Sequence, residues 1–283
     1  MRAGPVMVCA WARRLRGWCS GLLCLPLLAA CLGPPYETGR VQDLVPGARE
    51  QAVRVDGRSI HWVEVGDEAA SPVLFIHGTP GNWQAYADYL NAPELAGLHR
   101  IAVDRPGFGE SAEGGVEPSL SRQAELLAEA FADLPPMILV GHSLGGSLAM
   151  QLARDAPDRI AGIVLVAASL DPAVEAPRWF NRVASWPVIR AVVPDPLAKA
   201  NVEVLVLQQQ LQALWSGWTV PRLPIVLIQG MEDSLVRPST ADFAESRLAA
   251  ESVTIHRIEN AGHFVLWEQP SWTIEAILRL AEP

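Results

Sequence analysis

The sequence predicts an α/β fold: a mostly parallel sheet of about eight strands flanked by helices, with a small helical insertion. Three observations carry this. From residue 52 onward, short apolar runs alternate with segments of helical spacing, the pattern of strands joined by crossover helices. One run, Met137-Ile138-Leu139-Val140, leads straight into Gly141-His142-Ser143-Leu144-Gly145 and a helical segment over 147–154. Between residues 168 and 222 there are prolines, four tryptophans (Trp179, Trp186, Trp215, Trp218) and helical fragments but no strand pattern. That stretch is too long for an ordinary loop and reads as an insertion over about 170–221.

In chain order, residues 53–55, the turn dipeptide Asp56-Gly57 and residues 59–65 predict an antiparallel hairpin. A strand over 73–76 runs into His77-Gly78-Thr79-Pro80-Gly81, and a helix is expected over 83–90. The strand over 100–103 ends at Asp104-Arg105-Pro106-Gly107-Phe108-Gly109. Residues 119–134 have helical spacing, with Leu120, Ala124, Leu127, Ala128 and Phe131 on one face. Further strands are expected over 160–166, 225–229 and 253–258, with helices over 238–250 and 271–281. There is no internal repeat or low-complexity tract.

A chain of 283 residues, half of them hydrophobic, suits one large domain with an inserted subdomain. Its formal charge of −9 is unevenly spread: the first 30 residues hold Arg2, Arg13, Arg14 and Arg16 and no acid. Without them, 18 basic residues face 31 acidic ones, so a phosphate backbone would be repelled and nucleic-acid binding is not expected. All four cysteines (Cys9, Cys19, Cys24, Cys31) precede residue 32. The body therefore offers no disulfide framework, thiol nucleophile or cysteine-based metal site, and no cofactor is implied.

The arginines precede a short apolar run interrupted by Pro26, the pattern of a secretory signal and too short for a membrane span. It ends in Leu28-Ala29-Ala30-Cys31, which resembles the lipobox of bacterial lipoproteins. The resemblance implies cleavage before Cys31, lipid attachment there, and membrane association through that anchor. Leu32, where an aspartate would favour inner-membrane retention in enteric bacteria, points to the outer membrane facing the periplasm. The alternative is an ordinary signal peptide and a soluble periplasmic or secreted product. The expected organisation is a signal peptide over 1–30, a tether over 31–51 and a folded body over 52–283.

A serine between a strand and a helix, with glycines two positions away on each side, is the nucleophile-elbow pattern. The turn lifts the Ser143 hydroxyl clear of the sheet and aims the Leu144 amide at whatever it attacks. Such a serine needs a base and an acid to orient that base. Of six histidines, His61 and His256 lie within strand patterns and read as packing or surface residues. His142 adjoins Ser143 and points away from it, and His77 belongs to a loop valued for its backbone. His263, in the loop Asn260-Ala261-Gly262-His263-Phe264 after the last strand, is left as the base. Asp233, just beyond the strand over 225–229, is the leading acid, because ligand chemistry in open α/β sheets gathers at the carboxyl edge. Glu232 and Asp171 are rivals, and the Pro/Gly loop around Asp104 suggests a structural role for that residue.

Taken together, residues 52–283 resemble the α/β-hydrolase fold superfamily. The elbow, the His77-Gly78 loop, the loop from Asp104 to Ser111, Gly230-x-x-Asp233 and Gly262-His263 follow in that family's order, as do Ser143, Asp233 and His263. The resemblance implies an oxyanion hole made by the backbone amides of Thr79 and Leu144, and identifies the insertion with the family's cap. The His77-Gly78-Thr79-Pro80 loop is similar to the HG-x-P loop of epoxide hydrolases and dehalogenases, but those attack with an aspartate where this chain has Ser143. Pro80-Gly81 is also similar to proline iminopeptidases, whose elbow differs, and no pair of acids to bind a substrate amine is identifiable. The expected reaction is hydrolysis of a small-molecule carboxylic ester or thioester. A cofactor-free haloperoxidase, a carbon–carbon bond hydrolase and a non-catalytic binding module with this fold are the alternatives.

Overall fold

The computed structural model describes residues 40–220, 223–248 and 252–282. The expected signal peptide and Cys31 lie outside these residues. The body holds one eight-stranded sheet in the order β1-β2-β4-β3-β5-β6-β7-β8. Its strands are β1 (Arg49–Val55), β2 (Arg58–Val65), β3 (Pro72–Ile76), β4 (His99–Val103), β5 (Met137–His142), β6 (Ile160–Val166), β7 (Ile225–Gly230) and β8 (Val253–Ile258). Only the β1/β2 and β2/β4 pairs are antiparallel. Every strand read from the sequence is present.

Strand alternation divides the core into two layers, one on each face of the sheet. Leu74 and Ile76 of β3 join Leu139, Ile163 and Leu227 under the helices α3 (Leu120–Ala130) and α4 (Leu144–Asp155). Val73 and Phe75 point the other way, with Val140, Val164 and Ile228, onto Tyr86, Tyr89 of the short helix α2 (Ala87–Asn91), α9 (Val265–Glu268) and the final helix α10 (Pro270–Ala281). Ala241 and Ala244 of α8 (Ser239–Arg247) belong to the first layer. The α3 face predicted from spacing is the buried one: Leu120, Ala124, Leu127 and Phe131 are at most 3% exposed. Ser119 caps this helix, accepting from the Arg122 amide at 3.2 Å.

The folded body begins earlier than residue 52. A short helix, α1 (Val41–Leu44), precedes β1, and Val45 and Ala48 are buried between them. The amide of Asn91 holds the Leu44 carbonyl at 2.8 Å. Residues 40–51 are thus part of the domain rather than tether. Their signal was weak because β1 is an edge strand whose residues, apart from Val55, are not buried, so it shows no apolar alternation. At the hairpin tip, Asp56 and Gly57 both have positive φ (47° and 78°), as a two-residue turn between antiparallel strands requires.

The insertion contains α5 (Trp179–Ala184), α6 (Pro187–Arg190) and the long α7 (Asp195–Trp215) and, among its described residues, no strand. Leu207, Leu211 and Leu214 of α7 pack into the core layer beneath α3 and α4. Trp215 is buried and donates from Nε1 to the Leu170 carbonyl at 2.8 Å, stacking beside Trp218. These two tryptophans serve packing, whereas Trp179 and Trp186 are exposed. Among the described residues, no helix is long and apolar enough to cross a membrane.

Candidate active site

β3 and β5 are neighbours whose connections leave in opposite directions, to β4 on one side and β6 on the other. The crevice at such a switch point, beyond the carboxyl ends of the strands, is where open α/β sheets bind ligands. The loops after β3 and β5 carry the His77-Gly78-Thr79 segment and Ser143.

Ser143 occupies a backbone conformation that L-residues rarely adopt, φ 54° and ψ −123°. It persists because its surroundings determine it. The Ser143 amide donates to the Val166 carbonyl at 3.0 Å, and its carbonyl accepts from Ser169 at 3.1 Å and Gly146 at 3.0 Å. The flanking glycines are demanded by close approach: a Cβ on Gly141 would sit 2.5 Å from the Gly145 carbonyl oxygen, and one on Gly145 would sit 2.2 Å from that of Ile76. Leu144 opens α4, so its amide lies among the first N–H groups that a helix leaves without intrahelical partners.

The loop after β3 lies against this turn; a Cβ on Gly78 would come 3.0 Å from Ser143 Cβ. His77 is buried and bridges two backbones. Its Nε2 accepts from the Arg105 amide at 3.0 Å, so Nδ1 carries the proton and donates to the Gly78 carbonyl at 2.7 Å. Burial, and then the Arg105 guanidinium, push its pKa well below the usual imidazole value, which keeps that tautomer neutral. The Gly78 carbonyl also accepts from Arg105 Nη2 at 3.0 Å. A trans peptide directs its C=O and N–H oppositely, so two donors on the Gly78 oxygen orient the Thr79 N–H of the same plane.

Beyond β7 and β8 the structure brings Asp233 and His263 together, with Nδ1 2.8 Å from Oδ2. The Asp233 carboxylate is fully buried, and its other oxygen accepts from the amides of Leu235 at 2.8 Å and Val236 at 2.9 Å. This leaves Nε2 of His263 as the nitrogen free of Asp233. His142, next to Ser143, ties the two loops together through Nε2 and the His263 carbonyl at 3.0 Å, with ring centroids 4.8 Å apart. Burial, followed by the charge His263 can carry, lowers the His142 pKa to about 3, so it stays neutral and acts as a brace.

The rival acids are placed elsewhere. Glu232 is exposed, and Asp171 accepts from the Ala173 amide at 2.8 Å in a local turn. Asp104 is structural, as its loop suggested: it accepts from the amides of Trp83 at 2.7 Å and Glu110 at 2.9 Å and pairs with buried His61 at 2.8 Å. His256 stacks on Trp272 with centroids 4.8 Å apart, away from the elbow. Among the described residues, no cluster of three or more histidines, cysteines or carboxylates could hold a metal ion.

Two features were not read from the sequence. Arg105, fully buried, joins the loop after β4 to Glu203 on α7 and to Gln123 on α3. The pairing links residues 98 positions apart, which no local pattern signals. The second is Glu175 at the start of the insertion. One of its oxygens is buried without a hydrogen-bond partner, and burial, with Asp233 and Asp171 nearby, raises its pKa to about 7.

Among known proteins, the alpha/beta hydrolase family is matched over residues 73–276. The chain belongs to the alpha/beta hydrolase family. Over 133 residues (45% of the chain) it is 35% identical to the dihydrolipoyllysine-residue acetyltransferase component of the acetoin cleaving system of Pseudomonas putida. Over 130 residues (43% of the chain) it is 36% identical to an esterase of Mycobacterium tuberculosis. The matches span 35% and 41% of those two relatives. In fold, this alpha/beta hydrolase is similar to the haloalkane dehalogenase DatA of Agrobacterium tumefaciens, with a TM-score of 0.63 at 18% identity, covering 85% of this chain and 99% of that one.

Proposed function

We propose that this protein is a serine hydrolase acting on carboxylic esters or thioesters through an acyl-enzyme on Ser143. The observation that carries this is the buried Asp233–His263 pair at 2.8 Å, on the same sheet edge as a serine held at positive φ. A fold shared with a dehalogenase does not choose the reaction; the residue at the elbow does.

The roles follow from the chemistry. Ser143 Oγ attacks the acyl carbon while His263 Nε2 takes its proton, and Asp233, staying ionised, holds the Nδ1–H tautomer and stabilises the imidazolium. The negative oxygen of the tetrahedral intermediate is held by the amides of Leu144 and Thr79. Collapse expels the alcohol or thiol, which takes the proton from His263. Water then attacks the acyl-enzyme and passes its proton to His263, which returns it to Ser143 Oγ as the acid leaves. Arg105 acts through the Gly78–Thr79 peptide and is a positioning residue.

The test is labelling of the full chain with a fluorophosphonate and assay against a panel of esters of increasing acyl length. Wild type is expected to label once, at Ser143, and Ser143→Ala to lose both label and activity. Ester hydrolysis retained by Ser143→Ala would refute the assignment. The resemblance of residues 28–31 to a lipobox supports a further proposal, a lipid-anchored envelope location through Cys31, which mass spectrometry of the mature amino terminus tests.

A further inference from the structure

Seven large hydrophobic residues among those described are exposed, and six of them fall between residues 179 and 192: Trp179 (69%), Phe180, Trp186 (61%), Val188 (80%), Ile189 and Val192 (79%). Residues 185–192 are exposed without interruption. A soluble surface does not gather apolar side chains in this way unless something covers them. The same stretch has a charge opposite to that of the chain. Residues 176–194 contain Arg178, Arg182 and Arg190 and no acid, in a protein of net charge −9. All three arginines are exposed, and none pairs with a carboxylate among the described residues. Arg178 Nη2 has one weak contact, 3.5 Å from the Ser234 carbonyl.

We propose that the α5–α6 face of the insertion docks on an anionic lipid surface, with Trp179, Trp186, Val188 and Val192 entering the interfacial region and the arginines meeting the headgroups. Tryptophan, with an apolar ring and one N–H, suits the boundary between headgroups and acyl chains. Arginines beside an apolar face add attraction to anionic lipid. A second copy of the chain fits less well. Packing this face on itself about a two-fold axis would set three arginines against three. The docking face lies on the inserted helices and does not depend on Cys31.

The test uses the full chain with vesicles of phosphatidylcholine alone or phosphatidylcholine with phosphatidylglycerol, the acyl chains brominated to quench tryptophan. The control is Trp179→Phe/Trp186→Phe, which retains the other eight of the ten tryptophans, so the difference from wild type isolates this face. Wild type is expected to show extra quenching on anionic vesicles that the control lacks. That increment should fall severalfold between about 0.1 and 0.5 M salt. Arg178→Gln/Arg182→Gln/Arg190→Gln should lower it at least about fivefold. All these positions are exposed, and circular dichroism of each variant checks the fold. Equal quenching in wild type and control would overturn the proposal, even if another part of the chain holds the protein on the vesicle. Equal quenching on neutral and anionic vesicles would overturn it too. So would lipid-free dimerisation abolished by Val188→Ser/Val192→Ser, which would make the face an interface between copies.

Discussion

Arg105 and Glu203 form a two-pronged ion pair, 2.7 and 3.0 Å, between side chains that are 0% and 2% exposed. The pair joins the inserted helix α7 to the loop that carries the proposed oxyanion-hole peptide, because the same guanidinium holds the Gly78 carbonyl. Burial makes the pair costly to halve. Glu203→Ala strands a buried cation and should lower stability by about 3–5 kcal/mol in urea denaturation.

Removing both charges separates stability from catalysis. Arg105→Met/Glu203→Met should stay within about 1–2 kcal/mol of wild type in stability, since apolar side chains of similar volume replace the pair. It loses a donor to Gly78, so kcat for esters should fall by about tenfold or more while KM changes little. A thionoester, whose sulfur makes poor use of the oxyanion hole, should lose less, and the pH profile of activity should not move. Equal losses on both substrates would place Arg105 in a purely structural role.

Asp233→Asn should abolish most activity without unfolding the protein. The amide cannot hold His263 in the Nδ1–H tautomer, and kcat is expected to fall by about 10⁴ with KM little changed. Steady-state kinetics, with circular dichroism as a check on the fold, decide it.

Ser143 is strained where it stands, so function and stability oppose each other at that position. Ser143→Gly relieves the positive φ and Ser143→Ala does not, and both remove the nucleophile. The glycine variant should be more stable than the alanine variant by about 1 kcal/mol in thermal or denaturant unfolding.

Glu175 predicts a pH dependence of stability. Burial raises its folded-state pKa from the usual 4.5 to about 7, with Asp233 and Asp171 as unfavourable neighbours and Ser169 and Arg178 as favourable ones. A raised carboxyl pKa means that the folded state holds the proton more tightly. The contribution of this group is therefore greatest below about 4.5 and is lost as pH rises through about 7. Relative to wild type, Glu175→Gln should gain stability at pH 8, and the advantage should shrink toward pH 5 in unfolding titrations. His142, with a folded pKa of about 3, works in the other direction: its contribution is lost as pH falls from about 6.5 toward 3.

The amino-acid sequence by itself determined the strand and helix order, the elbow and the identity of its neighbours in the chain. These are local properties. Val140 through Gly145 encode a buried strand, a tight turn and a helix start in six consecutive residues, and the buried parallel strands show as short apolar runs. Of the edge strand β1, only residues 53–55 were legible, because Val55 at its end is the one buried residue. Tertiary structure decided what depends on distant residues meeting. It chose Asp233 over Glu232, although the two are adjacent in sequence, because only the buried one reaches the ring of His263. It turned Arg105 from a residue of a Pro/Gly loop into a link between α7 and the Gly78 carbonyl. It also divided four similar-looking tryptophans into two that pack the core and two that face solvent, since helical spacing describes a face but not what lies opposite it.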